Sequence, residues 1–131
     1  MKKQGVFHGR LSQIIATMGH GDTICIADVG LPIPDQVECI DLAVSPNVPA
    51  FLQVLTVVVE ELAVEGYQVA EETRQHSPQM WEDIAGLLAQ VEAELTDHES
   101  LKAATHNCRA VVRTGQCTPY ANVILRAGVT F

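Results

Sequence analysis

The amino-acid sequence predicts a single α/β domain over residues 1–131, a three-layer α/β/α fold with a mostly parallel central sheet. Helical and strand-like segments alternate throughout the chain, as in folds whose parallel strands are joined by helices. A length of 131 residues suits one domain with a buried core, and no repeat or low-complexity linker divides it. Because ligands of such sheets bind at the carboxyl ends of strands, we expect functional residues there.

The clearest strand is Thr23–Ala27, a short apolar run with β-branched residues and turn-forming residues on both sides. An amphipathic helix precedes it and ends at Gly19, which we expect to cap its C-terminus. The apolar residues of this helix recur at helical spacing: Leu11, Ile14, Ile15 and Met18.

Further elements follow in alternation. Residues 50–63 combine strand-favouring Val57–Val59 with an apolar pattern at helical spacing, and the length of the segment favours a helix. Ser77 followed by Pro78 predicts the N-cap and first residue of another helix, and residues 101–105 predict a short one. The remaining predicted strands are 37–44, 67–70, 109–113 and 123–125, and the apolar C-terminal tail is expected to be buried, either within the subunit or against a neighbouring one.

Composition excludes several classes of function. The net charge of -8 argues against nucleic acid and anionic membranes as partners, because both require a basic surface. Eleven acidic residues lie between Glu60 and Glu99 against one basic residue, and we interpret them as solvated helix faces. With 47% hydrophobic and only 18% charged residues, apolar surface is left for a subunit interface, so we expect a homo-oligomer.

The four cysteines form no CxxC pair and have no zinc-ligand spacing. Cys25 and Cys39 lie in apolar runs and are predicted to be core residues. The first thirteen residues lack the apolar stretch of a signal peptide, and no apolar run is long enough to span a membrane. These features predict a cytoplasmic protein with reduced thiols.

Two titratable residues flank the predicted strand Thr23–Ala27. His20 lies between two glycines before it, and Asp28 follows it. One interpretation is that both side chains take part in catalysis and are held in place by the buried strand between them. The alternative is that His20 caps a helix and Asp28 caps a turn. Phosphate-binding loops, nucleophile elbows and metal-ligand spacings are absent, so no cofactor or metal is expected. Proton transfer by histidine remains.

A second group of polar residues lies near the C-terminus. The segment 118–122, TPYAN, offers a phenol at Tyr120 and an amide at Asn122 between two predicted strands, although an ordinary turn has the same composition. His98, between two acidic residues at a predicted helix start, is a further candidate that also fits a surface position.

Several of these segments together resemble the ribose pyranase and fucose mutarotase family. The motif MGHGDTICIADVGLPIP at 18–34 and the ending VVRTGQCTPYANVILRAGVTF are the most specific parts, and the resemblance covers nearly the whole chain. The GLPIP sequence is similar to that of the ribose pyranases, whereas the fucose mutarotases are expected to carry an aromatic–proline pair there. Val29 and the pair His8–Gly9 depart from the usual family residues, but Val29 occupies a variable position of the pattern GHxDxIxxxDxGLPxP and the pair lies outside that pattern.

The resemblance implies an isomerase that interconverts the β-pyranose and β-furanose rings of D-ribose, supplying the furanose that ribokinase phosphorylates. It implies His20 as proton donor, no cofactor, and a ring-shaped oligomer, a decamer of pentameric rings. The sugar-binding residues that it implies are Asp28, His98, Tyr120, Ala121 and Asn122. The alternatives are a mutarotase acting on another sugar such as L-fucose, a non-catalytic sugar-binding accessory of ribose uptake, and a purely structural protein.

The length of the strand Thr23–Ala27 constrains how His20 and Asp28 cooperate. Five residues at about 3.3 Å each separate its two ends by roughly 16 Å, too far for both side chains to contact one small sugar. We therefore expect each site to combine His20 of one subunit with Asp28 of a neighbour.

Overall fold

Six strands form one mixed sheet in the computed structural model, which describes residues 1–131. Along the sheet the order is β2-β5-β1-β6-β3-β4. Neighbouring strands run parallel except at β6, which is antiparallel to both of its neighbours, so the predicted mostly parallel sheet is confirmed. The strands are β1 Thr23–Ala27, β2 Cys39–Asp41, β3 Val64–Ala70, β4 Glu92–Thr96, β5 Val111–Arg113 and β6 Val123–Ala127.

The reversed direction of β6 determines what meets at each edge of the sheet. In the β1–β6 register Ile26 pairs with Val123, and Thr23 pairs with Arg126. The beginning of β6 therefore lies beside the end of β1, at the edge where the parallel strands have their carboxyl ends. The end of β6 lies beside the beginning of β1, at the opposite edge.

Helices cover both faces of the sheet, which confirms the three-layer α/β/α fold. The larger core packs three helices against one face through side chains such as Leu11, Phe51 and Ile84. The second face, built from small residues such as Cys25 and Ala27, packs against Leu101 of the last helix. The helices are α1 Gly9–Thr17, α2 Phe51–Glu61, α3 Glu71–His76, α4 Pro78–Leu87 and α5 His98–Ala104, and a 3₁₀ turn follows at Thr105–Asn107.

Most predicted elements are present, with shifted ends. Strand β1 has the predicted bounds, whereas the strand expected over 37–44 is reduced to Cys39–Asp41. Helix α1 is capped by Met18 rather than by Gly19. Ser77 does precede α4, but its hydroxyl makes no capping hydrogen bond and instead donates to the Pro119 carbonyl at 2.8 Å.

Two elements were not predicted. Strand β4 lies inside the acidic region that we assigned to helix faces, and that assignment was wrong for Glu92 and Glu94. As an edge strand that is exposed along most of its length, β4 lacks the apolar alternation that would have marked it. Helix α3 has six residues, of which only Thr73 is buried, so it has no apolar stripe.

One burial prediction was wrong, and a second is not met within the single chain. Cys39 is exposed because it lies on the edge strand β2, whereas Cys25 in the central strand β1 is buried. The C-terminal tail is not buried: Phe131 is fully exposed and Val129 is 46% exposed. Val44, Val48 and Phe7 are also exposed apolar side chains. None of the helices has the length and apolarity needed to cross a membrane.

Candidate active site

Asp28 and Asn122 are joined at the carboxyl edge of the sheet because β6 begins where β1 ends. The Asn122 side chain is 1% exposed; its Oδ1 accepts from the Asp28 backbone N–H and its Nδ2 donates to Asp28 Oδ2, both at 2.9 Å. The other carboxylate oxygen, Oδ1, accepts from the Gly30 N–H at 2.9 Å. Asp28 is thus held in one orientation by the residues around it.

Tyr120 lies two residues before Asn122 and contacts two imidazole rings. The His98 ring meets the phenol ring edge-on, with centroids 5.0 Å apart and an interplanar angle of 85°. The His76 ring lies on the tyrosine at 5.6 Å and 32°. Such aromatic contacts fix the plane of a ring. Between Tyr120 and Asn122, Ala121 is fully buried, so a ligand would meet it through the backbone.

His98 is the first residue of α5 and is held from two sides. Its backbone N–H donates to Glu72 Oε2 at 3.0 Å. The preceding Asp97 caps the helix through Ser100, whose hydroxyl and N–H lower the pKa of the Asp97 carboxyl. His98 Nδ1 is buried and has no hydrogen-bond partner. A buried nitrogen of this kind is available to a polar ligand.

His20 lies at the opposite edge of the sheet, in a short loop before β1. Asp22 closes this loop: its carboxylate accepts from the Gly19 N–H at 3.0 Å and from Arg109 at 2.7 Å. These two contacts, the Gly19 N–H first, lower the pKa of Asp22. Gly21 has a φ of +84°, a conformation that suits a residue without Cβ.

The imidazole of His20 pairs with a carboxylate. Its Nε2 lies 2.8 Å from Glu65 Oε2, and the other oxygen of Glu65 lies 3.1 Å from Nε of Arg126. The His20 side chain is 62% exposed. A carboxylate that holds one ring nitrogen orients the imidazole and leaves the other nitrogen free to exchange a proton.

The structure therefore brings together five of the six predicted site residues within one subunit: Asp28, His98, Tyr120, Ala121 and Asn122. His20 is not among them, because β1 lies between it and Asp28. The carboxylate, amide, phenol and imidazole groups of the cluster can donate to and accept from the hydroxyls of a polyol. His20, paired with Glu65, presents an imidazole at the other end of β1, and imidazole is the side chain most often used for general acid–base catalysis.

Four neighbours of these residues were missed from sequence. Glu72, Thr73 and His76 lie in or at the start of α3, and Glu65 lies near the start of β3. A signal existed for Glu72 alone, since it comes just after the carboxyl end of a predicted strand, where α/β folds place ligand-binding residues. The other three contact the site through long-range pairs that the sequence does not disclose.

A cavity of about 500 Å³ lies outside this cluster. It is lined by Gly66, Glu92, Asn107 and Arg126 among others, on the side of the sheet near His20. None of the five clustered residues lines it. The clustered side chains, outside this cavity, supply convergent polar groups of the kind that a sugar site requires.

Comparison with known proteins identifies the family. A model of the RbsD / FucU transport protein family matches residues 1–130. The chain belongs to this family. Among individual RbsD/FucU relatives, the D-ribose pyranase of Coprothermobacter proteolyticus is 49% identical over 131 residues, covering 100% of both chains.

Solved structures agree with this assignment to the RbsD/FucU family. The structure of Bacillus subtilis RbsD complexed with D-ribose has a TM-score of 0.97 and 44% identity, covering 100% of both chains. The fucose mutarotase of Streptococcus pneumoniae in complex with L-fucose has a TM-score of 0.80 and 20% identity, covering 96% of this chain and 100% of that one. The second likeness shows a shared fold.

Proposed function

We propose that this protein is a D-ribose pyranase, an isomerase that interconverts the β-pyranose and β-furanose forms of D-ribose. The observation that carries the proposal is the full-length match, at 44% identity and a TM-score of 0.97, to a family member solved with D-ribose. The full-length relative at 49% identity, named D-ribose pyranase, supports the same activity. We place the reaction in the cytoplasm, where the furanose is available to ribokinase.

Ring interconversion requires proton movement at two oxygens. The ring oxygen gains a proton while the anomeric hydroxyl loses one, which opens the hemiacetal to the free aldehyde. A different hydroxyl then adds to the aldehyde carbon, its proton leaves, and the carbonyl oxygen gains a proton to become the new anomeric hydroxyl. A positioned acid or base contributes about 10²- to 10⁴-fold, which suits a reaction that also proceeds unaided in water.

In this proposal His20 donates the proton, and the cluster at the carboxyl edge binds the sugar. The Asp28 carboxylate accepts hydrogen bonds from ribose hydroxyls, with its orientation held by Asn122. Tyr120 offers its phenol, and His98 offers its unpartnered Nδ1. Ala121 contributes through its backbone, because its side chain is buried.

Each complete site takes His20 from a neighbouring subunit. Within one chain, His20 precedes β1 and Asp28 follows it, about 16 Å away for five residues at about 3.3 Å each. Such a head-to-tail contact joins two different surfaces of each subunit, and it closes into a ring when the rotation allows. The exposed Phe131 and Val129 provide apolar surface for contacts between subunits. We propose the ring-shaped decamer of pentameric rings that the family resemblance implies.

Saturation-transfer NMR on D-ribose tests the activity, because it measures exchange between ring forms at equilibrium. The wild-type protein is expected to accelerate exchange between the pyranose and furanose signals, and His20→Ala is expected to lose about 10²-fold or more of that acceleration. His8→Asn is the matched control: it removes an imidazole that accepts from the Leu11 N–H and hydrogen-bonds none of the proposed site residues, and asparagine can still cap α1.

The same measurement separates the alternatives. Acceleration restricted to L-fucose would make the protein a mutarotase of the kind solved in Streptococcus pneumoniae, whose likeness to this chain is one of fold. Ribose binding without accelerated exchange in the wild-type protein would make it a sugar-binding accessory. Either result contradicts the proposed pyranase activity.

A further inference from the structure

The conformation of Tyr120 requires support from its surroundings. Its φ is +61°, in the left-handed region that residues with a Cβ rarely adopt. Tyr120 is also the residue of the segment 118–122 whose ring contacts the rings of both His76 and His98. A backbone that relaxed to ordinary φ values would turn the phenol away from those two rings.

Two hydroxyl groups hold the backbone at this point. Thr73 Oγ1 donates to the Tyr120 carbonyl at 2.7 Å, and Ser77 Oγ donates to the preceding Pro119 carbonyl at 2.8 Å. Thr73 is fully buried and Ser77 is 8% exposed, so water does not readily replace either hydroxyl. The two donors are four residues apart, which places them on the same side of the chain at helix α3.

The geometry uses up the hydrogen-bonding capacity of the Tyr120 carbonyl. Besides Thr73, the Asn122 N–H donates to this oxygen at 2.9 Å, so both lone pairs are engaged. Ser77 makes no capping bond to α4, although it is the N-cap residue of that helix. Its hydroxyl therefore hydrogen-bonds the segment 118–122 instead of capping helix α4.

Residues of helix α3 and its C-cap thus contact both the backbone and the ring of Tyr120. Thr73 and Ser77 fix its backbone, and His76, between them in sequence, packs on its ring at 5.6 Å. We infer that Thr73 and Ser77 are positioning residues that set the phenol of Tyr120 for contact with the sugar. This inference rests on the proposed function for the role of Tyr120, whereas the conformational part stands without it.

The test replaces Thr73 with valine, which keeps the shape of the side chain and removes the donor. Thr105→Val is the matched control, because Thr105 is also fully buried and donates to a backbone carbonyl, that of Lys102, at 2.6 Å, but outside the segment 118–122. The first readout is the NMR shift of the His76 and His98 imidazole protons, which the nearby phenol ring perturbs.

In Thr73→Val both imidazole shifts are expected to move, and in Thr105→Val they are expected to stay at wild-type values. The second readout is ribose exchange kinetics. Loss of one hydrogen bond is expected to raise KM about three- to tenfold, with kcat within about twofold, since sugar binding is weakened equally in ground and transition states. Thr73→Ser keeps the hydroxyl donor, so its imidazole shifts and its KM are expected to lie closer to the wild-type values than those of Thr73→Val.

Thermal unfolding shows whether Thr73→Val still folds, and Ser77→Ala provides a second, independent variant. Wild-type imidazole shifts in folded Thr73→Val and Ser77→Ala would overturn the inference, as would shift changes of equal size in Thr105→Val. If wild-type protein failed to accelerate ribose exchange, the proposed function would fall, and the imidazole shifts would still decide the conformational part.

Discussion

Mixing two inactive variants tests whether each site is shared between subunits. His20→Ala removes the proton donor from one edge of the sheet, and Asp28→Asn removes the carboxylate from the other. Neither variant alone can form a complete site. If the site draws one residue from each of two neighbouring subunits, a mixed oligomer contains some interfaces where an intact His20 faces an intact Asp28.

The expected recovery follows from the separation of the two residues. Strand β1 spans about 16 Å at about 3.3 Å per residue, so one chain cannot supply both groups to a pentose. With random assembly from equal amounts, an interface has an intact donor in half of cases and an intact acceptor in half. About one quarter of the sites in a head-to-tail ring are then complete.

The assay is saturation-transfer NMR on D-ribose after the two variants are unfolded, mixed and refolded together. The control is a mixture of the two separately refolded variants, measured before subunits exchange, which is expected to stay inactive. Recovery of roughly a quarter of wild-type activity supports a shared site. Co-refolded oligomers that contain both variants and remain inactive would refute the reasoning.

Two further predictions concern the His20 edge. Glu65→Gln removes the carboxylate charge that orients His20 and is expected to lower the ribose exchange rate about tenfold, less than the roughly 10²- to 10⁴-fold expected for loss of the catalytic acid itself. The control is Glu38→Gln, which removes the carboxylate of a distant surface ion pair. An unchanged rate in Glu65→Gln would contradict the role of the His20–Glu65 pair. The Gly19 N–H and Arg109 lower the pKa of Asp22 in the folded protein. The ionised carboxylate therefore stabilises the fold at pH values above its ordinary pKa of 3.8, and this stabilisation is lost as the pH falls through the lowered pKa. Acid unfolding monitored by circular dichroism should therefore be less steep below about pH 4 in Asp22→Asn than in wild type, and identical profiles would exclude this contribution.

The parts of the fold that depend on local pattern were predictable from sequence. Strand β1 has the predicted bounds because its apolar run is buried on both faces. Strand β4 was missed because it is an exposed edge strand, and its glutamates resemble a solvated helix face. The reversed direction of β6 has no local signal, since it is determined by pairing with β1 and β3, which lie far away in sequence.

Some residues of the candidate site were predictable from sequence, and others were not. Asp28, His98 and the segment 118–122 could be proposed from their places next to predicted elements and from the family resemblance. Their partners could not, because the contact of Thr73 with Tyr120 joins residues 47 positions apart, and that of His20 with Glu65 joins residues 45 positions apart. Nothing in the local sequence of α3 distinguishes Thr73 from any other buried threonine.

The central position of β6 has a consequence for how the chain is made. The strands β2, β5 and β1 form one half of the sheet, β3 and β4 form the other, and β6 alone joins them. Because β6 is also the last strand in chain order, the sides of β1 and β3 that pair with β6 stay unpaired in a growing chain until β6 has been synthesised. Such edges are templates for pairing with other chains. Nascent or truncated chains that lack β6 are therefore expected to be more prone to aggregation than the complete chain.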